Sequence, residues 1–387
     1  MAVARVLAFG RLVSITGGSA AYIALVAAIY GETKSALWVS AALFSGVLGS
    51  VVSAPYAGWL GDRFDRRRVL IAADVAAAAV ATAMALTGQP KVLVPLLGLL
   101  AVVQSPFEPA SAAALPNLVS PRDVPRANAL VAATGSAGFL VGPLLGGVVL
   151  GVGASPAALF AVDAATFVVS AALIVSIRRP FGRGSTDEQP GVLAGFRVIL
   201  RRPALRRLVA AGMASLVGIG IVDVASYPLS LELGGGPEGY GAMTALLGGG
   251  GVLGAALAGR VVAAGPSRVL VGGFAAGAGG LALAGVAPVL AIAVVGMGVA
   301  GAGRGIGDVA ATTLLQVHAE DAVRSRVFAA QEGAAHVAFT VSALAGGLIV
   351  EIASARGAFV AAAACGLMAV LVAMRIGSAS ESPTVQA

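Results

Sequence analysis

Eight ionisable side chains fall inside long apolar runs of this chain: Asp74, Glu108, Asp163, Asp223, Arg304, Asp308, Glu332 and His336. Holding a charge at the centre of a bilayer costs about 2.5–3.5 kcal/mol even on a lenient scale. A side chain kept there either has a partner that fixes helix packing, or binds and releases an ion or a solute. Two of the pairs are spaced for mutual contact. Arg304 and Asp308 sit at i and i+4, one above the other on a helix face, and so do Glu332 and His336. Glu108 and Asp308 are separated by the same 200 residues as Gln104 and Arg304, so each stands in an equivalent place. If both faces point inward, Glu108 and Arg304 can meet. Protonating the acid would then release the pair. The alternative is a static ion pair that only fixes packing. Asp223 has Gly220, Ile219, Ser226 and Tyr227 as its helical neighbours. None is a cation, which makes Asp223 a candidate proton carrier or a contact for a cationic solute, with a hydrogen-bonded structural acid as the alternative. Asp163 is a weaker candidate of the same kind. Asp74 is expected to pair with nearby loop arginines. Gln104, Phe107, Tyr227 and Phe339 are candidate cavity-lining contacts.

The elements that must position these residues are apolar spans. The chain has 387 residues, 58% hydrophobic and only 11% charged, where soluble domains carry about 25% charged residues. A transmembrane helix needs about 20 mostly apolar residues. Cutting at polar breaks gives twelve spans: 9–30, 36–58, 69–88, 91–115, 127–150, 155–176, 205–230, 239–260, 268–287, 288–314, 327–350 and 355–375. The expected fold class is an all-α membrane protein of twelve transmembrane helices in two pseudo-symmetric six-helix halves. Residues 1–177 form the N-terminal half and 205–376 the C-terminal half. Residues 178–204 form a cytoplasmic central loop with an amphipathic helix on the membrane surface, and 377–387 a cytoplasmic tail.

Charge sets the orientation. The termini and the even-numbered breaks hold 21 of the 25 basic residues, among them Arg63, Arg66, Arg67, Arg68 and the eight arginines from Arg178 to Arg207. The positive-inside rule then places both termini in the cytoplasm. Arg5 and Arg11 are counted with this topogenic set. The halves also repeat: Arg68-Val69-Leu70 matches Arg268-Val269-Leu270, and Gly146-Gly147 matches Gly346-Gly347. Six spans repeated once around a longer central loop is a transporter pattern, with its site near the midplane.

These residues carry a resemblance to the major facilitator superfamily over nearly the whole chain. Gly58, Asp62, Arg63, Arg66 and Arg67 resemble that family's loop signature, with Asp65 where a glycine is usual. The resemblance implies a gating role, Asp62 latching the halves in the outward-open state. "GFLVGPLLGG" in the fifth span, with Gly138, Gly142, Pro143, Gly146 and Gly147, is similar to the pattern associated with exporters and antiporters. "SPFEPASAAALPNLV", "RANAL" and "SRVFA" resemble the branch holding the enterobactin exporter and macrolide-efflux-like proteins. The fourth span lacks the arginine that many proton-coupled members carry, and "ITGGSA" in the first span lacks an acid that relatives often place after glycine.

Other chemistries are set aside. One cysteine, Cys365, excludes a disulfide framework, and two histidines cannot build a familiar metal site. "GAGRGIG", residues 301–307, follows no strand, so it fails as a dinucleotide fingerprint. No Walker-type loop and no nucleophile–base constellation is present. The expectation is therefore no cofactor and no enzyme activity. The chain reads as a monomeric secondary transporter of the bacterial inner membrane, binding a small molecule and no nucleic acid. It is expected to export an amphiphilic drug or siderophore-like metabolite, driven by an ion gradient, with protons as the coupling ion. The alternatives are a metabolite importer or facilitator on the same fold, or a non-transporting membrane sensor or scaffold.

Overall fold

A computed structural model describes residues 2–181, 192–262, 265–319 and 321–380. The described residues are helical throughout, with short turns between. In chain order the helices are α1 (Ala2–Thr33), α2 (Ala36–Arg63), α3 (Arg66–Thr87), α4 (Pro90–Gln104), α5 (Phe107–Leu118), α6 (Val124–Gly151) and α7 (Pro156–Ser176). They continue as α8 (Val192–Arg201), α9 (Pro203–Glu232), α10 (Gly236–Val261), α11 (Pro266–Gly285), α12 (Leu290–His318) and α13 (Asp321–Ser380). Proline opens α4, α7, α9 and α11 within the first turn, where its missing N–H costs nothing. Gly88, at φ 61°, ends α3 in the left-handed conformation that favours glycine.

Among the described residues, eleven apolar segments are long enough to cross a membrane. The last, Ala330–Ile376, has 47 residues, enough for two crossings. Its two legs meet at Ser354, whose φ of 85° is non-helical. The Ser354 hydroxyl accepts a hydrogen bond from the Gly357 amide at 3.3 Å and so caps the second leg. The fourth span differs from expectation in the opposite way. It is one apolar segment, Pro90–Leu118, split into α4 and α5. Pro106 has no N–H to donate, so the hydrogen-bond ladder lapses after Ser105, whose amide bonds the Ala101 carbonyl at 3.0 Å, although both residues keep helical backbone angles.

The chain divides into two compact units. Residues 1–187 with 235–245 form one, and 188–234 with 246–387 the other. In the first unit α1 packs on α6 and α7, α3 on α7, and α2 on α4. One of its cores gathers Val69, Leu70, Ala114, Leu118, Ile174 and Phe181. In the second, α9 packs on α13 and α11 on α12. The amphipathic segment of the central loop does form a helix, α8, and its apolar face is spent on this unit: Ile199 is buried with Leu205, Leu315 and Ile376.

Small residues set the helix spacing. In the first unit Gly138, Gly142 and Gly146 of α6 lie directly on α1. A β-carbon on Gly138 would stand 2.8 Å from Ile15, and one on Gly146 would stand 2.8 Å from the Ala20 carbonyl oxygen. In the second unit the "GAGRGIG" stretch works on two sides. Gly301 and Gly305 meet the backbone of α10, while Gly303 and Gly307 meet α11. Close backbone approach through small residues is how membrane helices associate without a hydrophobic driving force.

Candidate functional site

The proline break in the fourth span puts Glu108 in the first turn of α5, where a carboxylate is favoured by the helix dipole. Arg11 of α1 meets it head-on. Nη2 lies 2.6 Å from Oε1 and Nη1 lies 2.7 Å from Oε2, the two-bond fork that arginine makes with a carboxylate. The arginine side chain is 22% exposed and the glutamate side chain 63%. Arg11 Nε is buried and makes no hydrogen bond. Gly135 of α6 leaves room beside it, with space for a β-carbon 3.5 Å from Nε. The pair lines a cavity of about 190 Å³ together with Phe107, Ser111, Asn128 and Ser170. All of this lies in the first unit. Within this unit the Glu108 carboxylate is taken up by Arg11, a residue counted as topogenic.

Behind the cavity the polar lining continues into the bundle. Asp74 of α3 is fully buried. Ser170 of α7 and Gln104 of α4 are its polar neighbours, and no cation stands beside it. The expected pairing of Asp74 with loop arginines is therefore replaced by neutral neighbours. Gln104 turns to Asp74 and does not line the cavity, whereas Phe107 does. Asp163 of α7 is 2% exposed. Its carboxylate is 3.4 Å from the Thr166 hydroxyl, and a β-carbon on Gly17 of α1 would stand 3.1 Å from its Oδ1. The glycine pair in "ITGGSA" is thus the surface that receives this acid.

In the second unit Arg304 Nε and Asp308 Oδ2 of α12 are 3.5 Å apart, with both side chains partly exposed. Asp223 is part-buried in α9, Tyr227 is buried one turn on, and both are engaged by neighbours. Phe339 is part-buried, and its carbonyl accepts from the Ser342 hydroxyl at 2.8 Å. Glu332 is exposed; the His336 side chain lies outside the described residues.

The loop after α2 is tied to the helix ends around it. Arg66 Nη1 donates to the Ala113 carbonyl at 2.9 Å, and Arg67 donates to the Val175 carbonyl. Asp65 adopts extended backbone and caps α3 by accepting from the Arg68 amide at 3.2 Å. An aspartate suits that cap better than the expected glycine. Arg63 is exposed and engaged. The side chains at Gly58 and Asp62, including the expected latch, lie outside the described residues. In α6, the Pro143 carbonyl and Gly147 both meet Gly241 within the first unit.

Sequence reasoning missed Arg11. The signal was there: an arginine inside an apolar run is a functional candidate by default. Among the described residues no three His, Cys, Asp or Glu side chains gather as a metal site.

The comparisons fit this architecture. The Major Facilitator Superfamily model matches residues 7–226. No curated protein matches the chain closely enough to count as a relative. Among solved structures, the nucleoside transporter NupG superposes with a TM-score of 0.82 at 13% identity, covering 97% of this chain and 99% of that one. A bacterial homologue of the human lysosomal transporter Spinster, in an inward-facing and occupied conformation, gives 0.75 at 13% identity, covering 97% and 96%. A bacterial homologue of the iron transporter ferroportin, inward-facing, gives 0.74 at 16% identity, covering 97% and 98%. At such identities these likenesses speak for the fold alone. With the family match over more than half its length, the chain belongs to the major facilitator superfamily, and so to membrane transporters and not to enzymes.

Proposed function

We propose that this chain is a proton-coupled exporter of an amphiphilic small molecule, working by alternating access in a bacterial inner membrane with both termini in the cytoplasm. The observation that carries the reading is the Arg11–Glu108 pair on the wall of the first unit's cavity. A two-bond ion pair with a glutamate side chain 63% exposed can be opened from the cavity side in two ways: a proton can neutralise Glu108, or a cationic solute can take the place of Arg11. Either frees a charged partner inside the bundle. That is the differential interaction a coupling site needs to bias one state over another. Ser111, Asn128 and Phe107 around the pair give a solute both hydrogen-bonding and apolar contacts. Asp74 and Asp163, buried without an arginine, are secondary proton-holding candidates. Asp223, Arg304 and Asp308 are the corresponding groups of the second unit.

Export as the direction is supported by the Gly138–Gly147 pattern and by the resemblance to the enterobactin and macrolide branch. The polar rim also suits a hydroxylated metabolite, so import or facilitated passage of such a solute is the second reading. The test is transport in proteoliposomes under an imposed pH gradient. The substrate would first be nominated by comparing small molecules in cells and medium with and without the gene. Glu108→Gln is expected to keep substrate exchange but lose gradient-driven accumulation, and Glu108→Asp to retain part of it. Wild-type gradient-driven transport by Glu108→Gln would overturn the reading.

A further inference from the structure

Beside the loop after α2 lies a second cavity, of about 520 Å³, lined by Arg67, Arg68, Arg178, Arg179, Asp65 and Phe181. Four arginines and one aspartate line it, and the aspartate carboxylate is already turned to the Arg68 amide as a helix cap. Two of the four are held in place. Arg67 donates to the Val175 carbonyl, and Arg179 Nη1 donates to the Leu118 carbonyl at 3.0 Å. Their side-chain freedom is already spent, which lowers the cost of binding. Arg67 Nε is buried with no acceptor in reach. Arg67 and Arg68 stand in the first turn of α3, where they oppose the positive end of its dipole and an anion would offset them.

Arg68 also belongs to a neighbouring groove of about 610 Å³, lined by Val52 and Tyr56 of α2, Phe64 just after it, Val69 and Ala76 of α3, and Val102 of α4. Its wall is almost entirely apolar, and Val52, Tyr56 and Phe64 are exposed. A cationic cavity and an apolar groove thus join at one side chain, whose aliphatic stem can lie along the groove while its head stays with the other arginines.

We infer that this juxtaposition is a binding site for an anionic phospholipid, the phosphate held by Arg67, Arg68, Arg178 and Arg179 and an acyl chain lying in the α2–α3–α4 groove. Basic pockets at the membrane surface take phosphate headgroups, and arginine's fork matches phosphate oxygens in pairs. The groove excludes a plain soluble phosphate as the natural occupant, because it adds apolar surface that only a tailed ligand uses. This site is separate from the Arg11–Glu108 cavity, so it stands or falls independently of the transport mechanism.

The test is native mass spectrometry of the full-length chain in detergent, with phosphatidylglycerol or phosphatidylcholine added at equal amounts. Retained phosphatidylglycerol adducts are expected to exceed phosphatidylcholine adducts by about tenfold or more. Arg68→Gln with Arg178→Gln should abolish that preference. These two arginines are chosen because they tie no helix end. Arg68→Lys with Arg178→Lys keeps the charge, is expected to fold, and should keep most of the binding. Ala76→Trp, which fills the groove, should weaken phosphatidylglycerol without restoring phosphatidylcholine. Equal retention of the two lipids, unchanged binding in the Gln pair, or unchanged binding in Ala76→Trp would each overturn the assignment. So would glycerol phosphate binding as tightly as the diacyl lipid, which would make the occupant a soluble phosphate ester.

Discussion

Replacing Gly142 by alanine should separate α6 from α1. A β-carbon there would stand 2.5 Å from Ser19 Cβ and 2.7 Å from the Thr16 carbonyl oxygen. Carbon atoms pack at about 3.5–4.0 Å, so at least ~1 Å of separation is required. Neither contact is the far end of a flexible side chain, so the helices themselves must move. Overpacking of this kind costs about 1–3 kcal/mol. Alanine regains up to ~1 kcal/mol in helix propensity, leaving a net loss of about 0–2 kcal/mol. Gly212 of α9 provides the control. It has nothing within 4 Å of its missing β-carbon, so Gly212→Ala should gain about 0.8–1.0 kcal/mol from propensity alone. The two variants should therefore differ by about 1–3 kcal/mol. At ~2–4 °C per kcal/mol for a unit of this size, the gap is roughly 2–12 °C in thermal unfolding of the purified protein. Gly142→Ala melting at or above Gly212→Ala would refute the claim that this seam sets the helix distance.

Other outcomes follow from the same geometry. Arg11→Gln should cost about 1 kcal/mol or less, because the exposed Glu108 carboxylate can rehydrate. Glu108→Gln should cost more, about 1–3 kcal/mol, because it leaves a mostly buried guanidinium without its counter-charge; equal melting shifts would contradict the asymmetry. Asp74→Leu should leave thermal stability unchanged or raise it, since it replaces a buried carboxylate that has no cationic neighbour with apolar atoms; a fall of several degrees would show that its contacts to Ser170 and Gln104 stabilise the bundle. Arg356→Ala should lower the melting temperature by a few degrees, as Arg356 donates to the Gly285 and Ala287 carbonyls at 3.2 and 2.9 Å and lies 3.7 Å from Glu232. With Cys365 replaced by alanine, a cysteine at Lys34 should react with an impermeant maleimide from outside intact cells and one at Arg122 should not; the reverse pattern would invert the topology.

The apolar spans were legible in the sequence because hydropathy alone decides them, and so was the Arg304–Asp308 contact, which helical spacing dictates. The partner of Glu108 was not. Arg11 lies 97 residues away, and no local rule links the first span to the fourth. The break in the fourth span could have been read from "SPFEP", where proline has no N–H to continue the ladder, but the apolar run continued through it. Asp74 was assigned arginine partners by proximity in sequence. The helix turns its carboxylate the other way, toward α7 and α4. Asp65 was judged against a family pattern, when its own chemistry already named it as a cap.

The fourth and tenth spans hold equivalent places 200 residues apart in the sequence, yet they are built to opposite mechanical specifications. The fourth is interrupted at Ser105–Pro106, so two short rods share a joint, and Glu108 rides on the second rod. The tenth, α12, runs unbroken for 29 residues and is laced to a neighbour on each side through its glycines. A torque applied to the first can be absorbed at one joint; applied to the second, it is passed on whole. The two acids that symmetry makes equivalent, Glu108 and Asp308, therefore report different things: one the angle of a hinge, the other the position of a beam.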